Sequence, residues 1–187
     1  SDLTPLQGLR NLVELALPHA SVTDIEPLAN LSNLRALRWD VLDKTRPPIQ
    51  DISALQGLVK LEFLALDNQA VNDLSPLSGF INLTTLRVSN NELVSLDGLP
   101  HPASGSYVIL LLQLNPIQDF SALDGLVANV FAVSIENKNG YAFINQYDSA
   151  GILGIVNDDK ALPDFSFLAG KNFSILSFEG CRLNDPS

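Results

Sequence analysis

Apolar residues recur along this chain in a fixed six-residue block. Leu61-Glu62-Phe63-Leu64-Ala65-Leu66 reads L-x-x-L-x-L, and Leu83-Thr84-Thr85-Leu86-Arg87-Val88-Ser89-Asn90-Asn91-Glu92-Leu93 extends it to L-x-x-L-x-V-x-x-N-x-L. Residues 12–22, 107–117 and 173–183 keep the frame, with Ala20, Asn115 and Cys181 at the asparagine position. Two apolar residues separated by one place both side chains on one face of a short strand. The pattern therefore predicts one strand per block, stacked in parallel. The asparagine that follows is expected to turn inward, where its amide both donates to and accepts from backbone groups that are costly to bury unpaired. Cysteine keeps a weak donor there. Ala20 and Gln69 depart from the rule and are expected to interrupt this ladder in the first half.

A second block alternates with the first. Asp2-Leu3-Thr4-Pro5-Leu6, Asp24-Ile25-Glu26-Pro27-Leu28, Asp51-Ile52-Ser53-Ala54-Leu55 and Asp73-Leu74-Ser75-Pro76-Leu77 open successive units. Ser95-Leu96-Asp97-Gly98-Leu99, Asp119-Phe120-Ser121-Ala122-Leu123 and Asp164-Phe165-Ser166-Phe167-Leu168 continue the series, in steps of 22, 27, 22, 22, 24 and 45 residues. The acids read as caps, and Pro5, Pro27 and Pro76 fit the first turn of a helical segment. Too few residues remain for α-helices, so short 3-10 turns are predicted. The five extra residues of the second unit make residues 43–48 a surface loop, and residues 100–106 form another. The last gap holds two repeat lengths. It predicts a worn repeat with Leu153-Gly154-Ile155 as its strand, in preference to a hairpin turning at Asn137-Lys138-Asn139-Gly140.

In these blocks the chain resembles the leucine-rich repeat, and the D-I-x-P-L opening with its 22-residue period is similar to the bacterial internalin-like class. The resemblance implies an α/β fold: a leucine-rich-repeat solenoid with parallel strands on the concave face and short 3-10 turns and loops on the convex face. One domain of seven or eight repeats is expected over residues 1–187, irregular at 130–163. Neither end reads as a capped terminus, and the chain begins at Ser1 with no signal peptide and no methionine. A fragment of a longer protein is expected, continuing beyond the N-terminal end.

Composition narrows the function. The 187 residues carry 21 acids against 11 bases, a formal charge of −10, which disfavours nucleic acid and anionic membrane as partners. The longest apolar run, at residues 108–112, is far too short to span a bilayer. A single cysteine excludes intrachain disulfides and thiolate metal clusters. His19 and His101 lie in different repeats without a nucleophile pattern, and no phosphate loop or zinc motif occurs. Asn157-Asp158-Asp159 lacks the ligand spacing of a calcium loop. No catalytic residue, cofactor or metal is expected, and the chain reads as a non-enzyme.

What the repeat supplies is a surface. The positions flanking and following the inward residues are expected to face solvent in the groove: Phe63, Thr85 and Ile109 in one row, Ala65, Arg87 and Leu111 in the next, then Asp67, Ser89 and Gln113. From this set Phe63, Ile109, Leu111 and Leu114 are expected apolar anchors, and Arg38, Asp40, Asp67 and Arg87 orienting charges. Trp39 falls on an inward position and is expected in the core. The resemblance to internalins implies a protein-binding module of a bacterial surface or secreted protein. An intracellular leucine-rich scaffold or regulatory subunit, and a carbohydrate-binding adhesin module, are the alternatives. Sugar sites favour exposed aromatic platforms, and the groove offers only Phe63.

Overall fold

A computed structural model describes residues 2–17, 22–39, 47–134, 150–156, 161–162, 169–171, 173–179 and 182–183. Each L-x-L step in it forms a strand: β1 Glu14–Ala16, β2 Ala36–Arg38, β3 Phe63–Ala65, β4 Thr85–Arg87, β5 Ser106–Leu111, β6 Val127–Ser134, β7 Ala150–Val156 and β9 Ile175–Glu179. These eight pair in parallel in the order β1-β2-β3-β4-β5-β6-β7-β9. Strands β8 (Ala161–Leu162) and β10 (Arg182–Leu183) pair with each other outside that sheet. The result is a leucine-rich-repeat solenoid, with the parallel sheet as its concave face. Leu153-Gly154-Ile155 sits inside β7, bonded to β6 on one side and β9 on the other, so the 45-residue gap contributes a further rung. Asn137-Lys138-Asn139-Gly140 lies outside the described residues.

The register aligns Leu15, Leu37, Leu64, Leu86, Leu110, Phe131, Leu153 and Leu176 in one column. Leu37, Leu64 and Leu86 have no exposed surface. Burial comes from neighbours on both sides. Leu6, Leu12, Leu15 and Leu17 of the first turn are only partly covered, whereas Leu28, Leu34 and Leu37 of the next are enclosed. Trp39 is buried as expected of an inward position. Tyr107 takes a leucine position in the fifth turn, where its hydroxyl donates to Pro100 O at 2.6 Å and burial pushes its ionisation upward.

On the opposite side the described helical segments are all three-residue 3-10 turns: Thr4–Leu6, Glu26–Leu28, Ser53–Leu55, Ser75–Leu77 and Ser121–Leu123. Proline is the second residue in three of them. One carboxylate oxygen of Asp2, Asp24, Asp51, Asp73 and Asp119 accepts the N–H two residues on, at 2.8–3.0 Å. The N–H groups of Ser53, Ser75 and Ser121, followed by their hydroxyls, hold Asp51, Asp73 and Asp119 below the usual carboxylate range. At Asp2 the Thr4 hydroxyl contributes most and the Thr4 N–H next. The fifth opening has no 3-10 turn; there Ser95 Oγ accepts the Asp97 N–H. Gly98 follows at φ +82°, where a Cβ would lie 2.4 Å from Ser75 Cα, so only glycine lets this turn seat on its neighbour.

Between sheet and turns runs the amide ladder. Asn91 Oδ1 accepts from Val71 N at 3.0 Å, and its Nδ2 donates to Leu66 O and Val88 O. Asn115 repeats this with Leu93 N, Val88 O and Leu112 O. Gln69 does not interrupt the ladder. Its longer side chain reaches the same place, and Oε1 accepts Ile49 N at 2.8 Å. Ala20 and Cys181 lie outside the described residues.

Since Leu86 is enclosed by two flanking rungs, Leu86→Ala is expected to cost about 2–5 kcal/mol through lost burial and a residual cavity. Urea unfolding monitored by circular dichroism checks this; an unchanged midpoint contradicts the frame.

Candidate partner-binding surface

Two rows of side chains stand on the open face of the sheet. The first runs Glu14, Ala36, Phe63, Thr85, Ile109, Val130, and the second Ala16, Arg38, Ala65, Arg87, Leu111, Ala132. Parallel strands lie about 4.8 Å apart, so residues in a row touch their neighbours' flanks. This corrects the expectation that every groove position faces solvent. Thr85 is buried because Phe63 and Ile109 bracket it, and Ala65 because Arg38 and Arg87 do. Large side chains shade small ones between them.

The expected charges are arranged accordingly. Arg38 is half-buried with its guanidinium 4.4 Å from the Phe63 ring centroid and 3.5 Å from Glu14, so cation and ring form one platform. Asp67 was expected to be exposed and is only 5% so. Its Oδ1 accepts the Ser89 N–H at 2.8 Å and its Oδ2 pairs with Arg87. A carboxylate can be buried here because a backbone donor and a cation both meet it. Asp67 is therefore a support that fixes Arg87, which itself remains half-buried. Asp40 lies outside the described residues.

Among the apolar candidates, Phe63, Ile109 and Leu111 are half-buried and Leu114 is 37% exposed. Leu111 is in register with Arg87 and with Ala132. Leu114 sits past the end of β5, at the rim, with its N–H donating to Ser134 Oγ at 2.6 Å. Val130 and Ala132, both half-buried, extend the apolar floor and were missed by the sequence reading. Their signal was present: Ala128, Phe131 and Val133 keep the L-x-x-L-x-L spacing with unusual apolar residues. Ile175 on β9 is 54% exposed at the far end of the first row.

A shallow depression lies on the other side of the molecule, lined by Gln50, Asp51, Ile52, Asn72, Asp73 and Pro76. Its two carboxylates already accept N–H groups from Ser53 and Ser75, so it is the seam between adjacent turns. Among the described residues no three His, Cys, Asp or Glu side chains gather to hold a metal, and no helix is long and apolar enough to cross a membrane.

Parallel rungs, 3-10 turns capped by aspartate and a buried amide ladder together define a leucine-rich-repeat solenoid of the internalin-like class. Among solved structures, an internalin C2 of Listeria monocytogenes is 34% identical with a TM-score of 0.61, over 71% of this chain and 56% of that one. An internalin from the inlF gene of the same species has a TM-score of 0.61 at 20% identity, over 98% of this chain and 58% of that one, which shows the shared fold. This chain thus spans a little over half the length of each. No family model and no curated protein matches it.

Removing Arg87 leaves Asp67 buried beside a single N–H donor. Arg87→Ala is expected to destabilise the chain by about 1–3 kcal/mol. Thermal unfolding checks this, and an effect within about 0.5 kcal/mol, the usual range for a free surface residue, contradicts the pairing.

Proposed function

We propose that this chain is a non-enzymatic binding module that engages a protein partner through its concave face, as part of a bacterial surface or secreted protein. The observation that carries this reading is the group of half-buried apolar side chains Ile109, Leu111 and Val130 on the adjacent rungs β5 and β6, with Phe63 two rungs before them across Thr85. Contiguous apolar surface of this kind marks interaction sites more often than chance exposure does. The sheet is hydrogen-bonded strand to strand, so little ordering entropy opposes docking on it. Phe63 and Leu111 act as anchors. Arg38, stacked on Phe63, and Arg87, fixed by Asp67, orient the partner and set its association rate. Likeness to internalins supports the surface or secreted setting.

The test is to isolate the partner by cross-linking from host and same-species extracts, then to measure its Kd by calorimetry. Phe63→Ala and Leu111→Ala are each expected to weaken binding by about 30-fold or more, the usual range for anchor residues, with the circular dichroism spectrum unchanged. Unaltered affinity for both, with loss on replacing residues 43–48, moves the site to the loop edge and overturns the concave reading.

A further inference from the structure

The tetrapeptide Leu-Asp-Gly-Leu occurs twice in the chain, at residues 96–99 and 123–126. The two copies share their local structure. In each, the second leucine N–H donates to the carbonyl of the first, Leu99 to Leu96 at 2.9 Å and Leu126 to Leu123 at 3.0 Å. Both glycines take a left-handed φ, 82° at Gly98 and 76° at Gly125. All four leucines are buried and both aspartates are exposed. The aspartate N–H groups are held as well, Asp97 by Ser95 Oγ and Asp124 by Ser121 O.

What differs is the neighbouring rung. A Cβ on Gly98 would lie 2.4 Å from Ser75 Cα and 2.7 Å from Leu74 C, so the backbone of this step is seated on the rung before it. Gly125 is exposed, and no described atom would lie within 4 Å of a Cβ there.

An aspartate followed by glycine can react with its own main chain, since glycine has no Cβ to shield its amide nitrogen. That nitrogen forms a bond to the carboxyl carbon Cγ. One carboxyl oxygen leaves as water with the amide proton and the carboxyl proton, and a five-membered succinimide ring remains. Water then reopens the ring. Opening at Cγ restores aspartate. Opening at the main-chain carbonyl leaves isoaspartate, in which the main chain runs through Cβ and Cγ and the old carbonyl becomes the free carboxylate. The water lost is the water regained, so no other reactant is needed. Ring closure turns the Asp–Gly peptide plane, and the glycine Cα must move with it. Gly125 has room for that movement. Gly98 can make it only after its turn leaves its seat, which is a local opening.

The geometry points to Asp124 as a self-modification site, converted to isoaspartate by attack of the Gly125 nitrogen, with Asp97 as its protected twin. The inference is independent of the concave-face reading. Conversion lengthens the main chain by one methylene between Leu123 and Leu126. Both leucines are fixed in the core, so the added length falls on the turn between them and loosens the hydrogen bond that closes it.

The experiment keeps the folded chain in heavy-oxygen water at neutral pH and body temperature, alongside synthetic peptides of residues 93–102 and 120–129. Conversion incorporates solvent oxygen and removes the cut that endoproteinase Asp-N makes before aspartate. Chymotryptic cleavage after Tyr107 separates the two sites, and electron-transfer mass spectrometry locates the isoaspartate. In the peptides both sites are expected to convert at comparable rates, because the reacting tetrapeptide is the same. In the folded chain Asp124 is expected to convert at least ~10-fold faster than Asp97, the excess reflecting the opening that Asp97 requires. Equal rates in the folded chain, faster conversion at Asp97, or no isoaspartate at Asp124 once the peptides have converted overturns the inference. The same ratio in the peptides as in the folded chain also overturns it, because the difference then lies in the sequence and not in the seat.

Discussion

Everything in this solenoid depends on giving partners to the backbone groups that turn inward between sheet and 3-10 turns. The sheet pairs its own N–H and C=O groups, and the turns pair theirs by i to i+3 bonds. The connecting stretches have neither option, and an unpaired buried group costs about 1–3 kcal/mol. A side-chain amide solves this because it donates and accepts at once. Asn91 ties Val71 N and Leu66 O of the preceding repeat to Val88 O of its own. The same residue therefore satisfies one turn and fastens it to the next. Gln69 shows that the requirement is for an amide at that depth and not for one side-chain length.

Once the rungs are fastened in register, the open face follows. Identical spacing puts every second residue outward, and side chains in a row then shade or support one another. Thr85 and Ala65 lose their solvent to larger neighbours. Arg38 lies against Phe63, and Arg87 against Asp67. Among the described residues of β1 to β6 and the stretches that follow them, the charges of the groove stand on the rungs before β5. The rungs at β5 and β6 are left neutral and apolar, with Leu114 at their rim.

The strands, the caps and most of the ladder were legible in the sequence, because they answer local rules with short periods. Leu86 inward and Arg87 outward follow from alternation alone. What was not legible depends on neighbours about 22 residues away. Asp67 reads as an exposed acid until Arg87 and the Ser89 N–H are placed against it. Val130 and Ala132 were hidden because Ala128, Phe131 and Val133 replace the leucines that mark a strand. The left-handed turn at Leu114 was invisible for a different reason: leucine argues against it, and only the asparagines at the equivalent positions, 68 and 90, announce it.

Amide hydrogen exchange tests the ladder most directly, since the N–H groups of Val71 and Leu93 each have a side-chain amide as acceptor. In the wild-type chain both are expected among the slowly exchanging amides, opening only with the cooperative unit that contains them. In Asn91→Leu the Val71 N–H loses its acceptor and should exchange faster than its neighbours in the stack. The Leu93 N–H, held by Asn115, should lose far less of its protection. An unchanged rate at Val71, or equal acceleration at both amides, would contradict the claim that each repeat is fastened to its neighbour by its own buried amide.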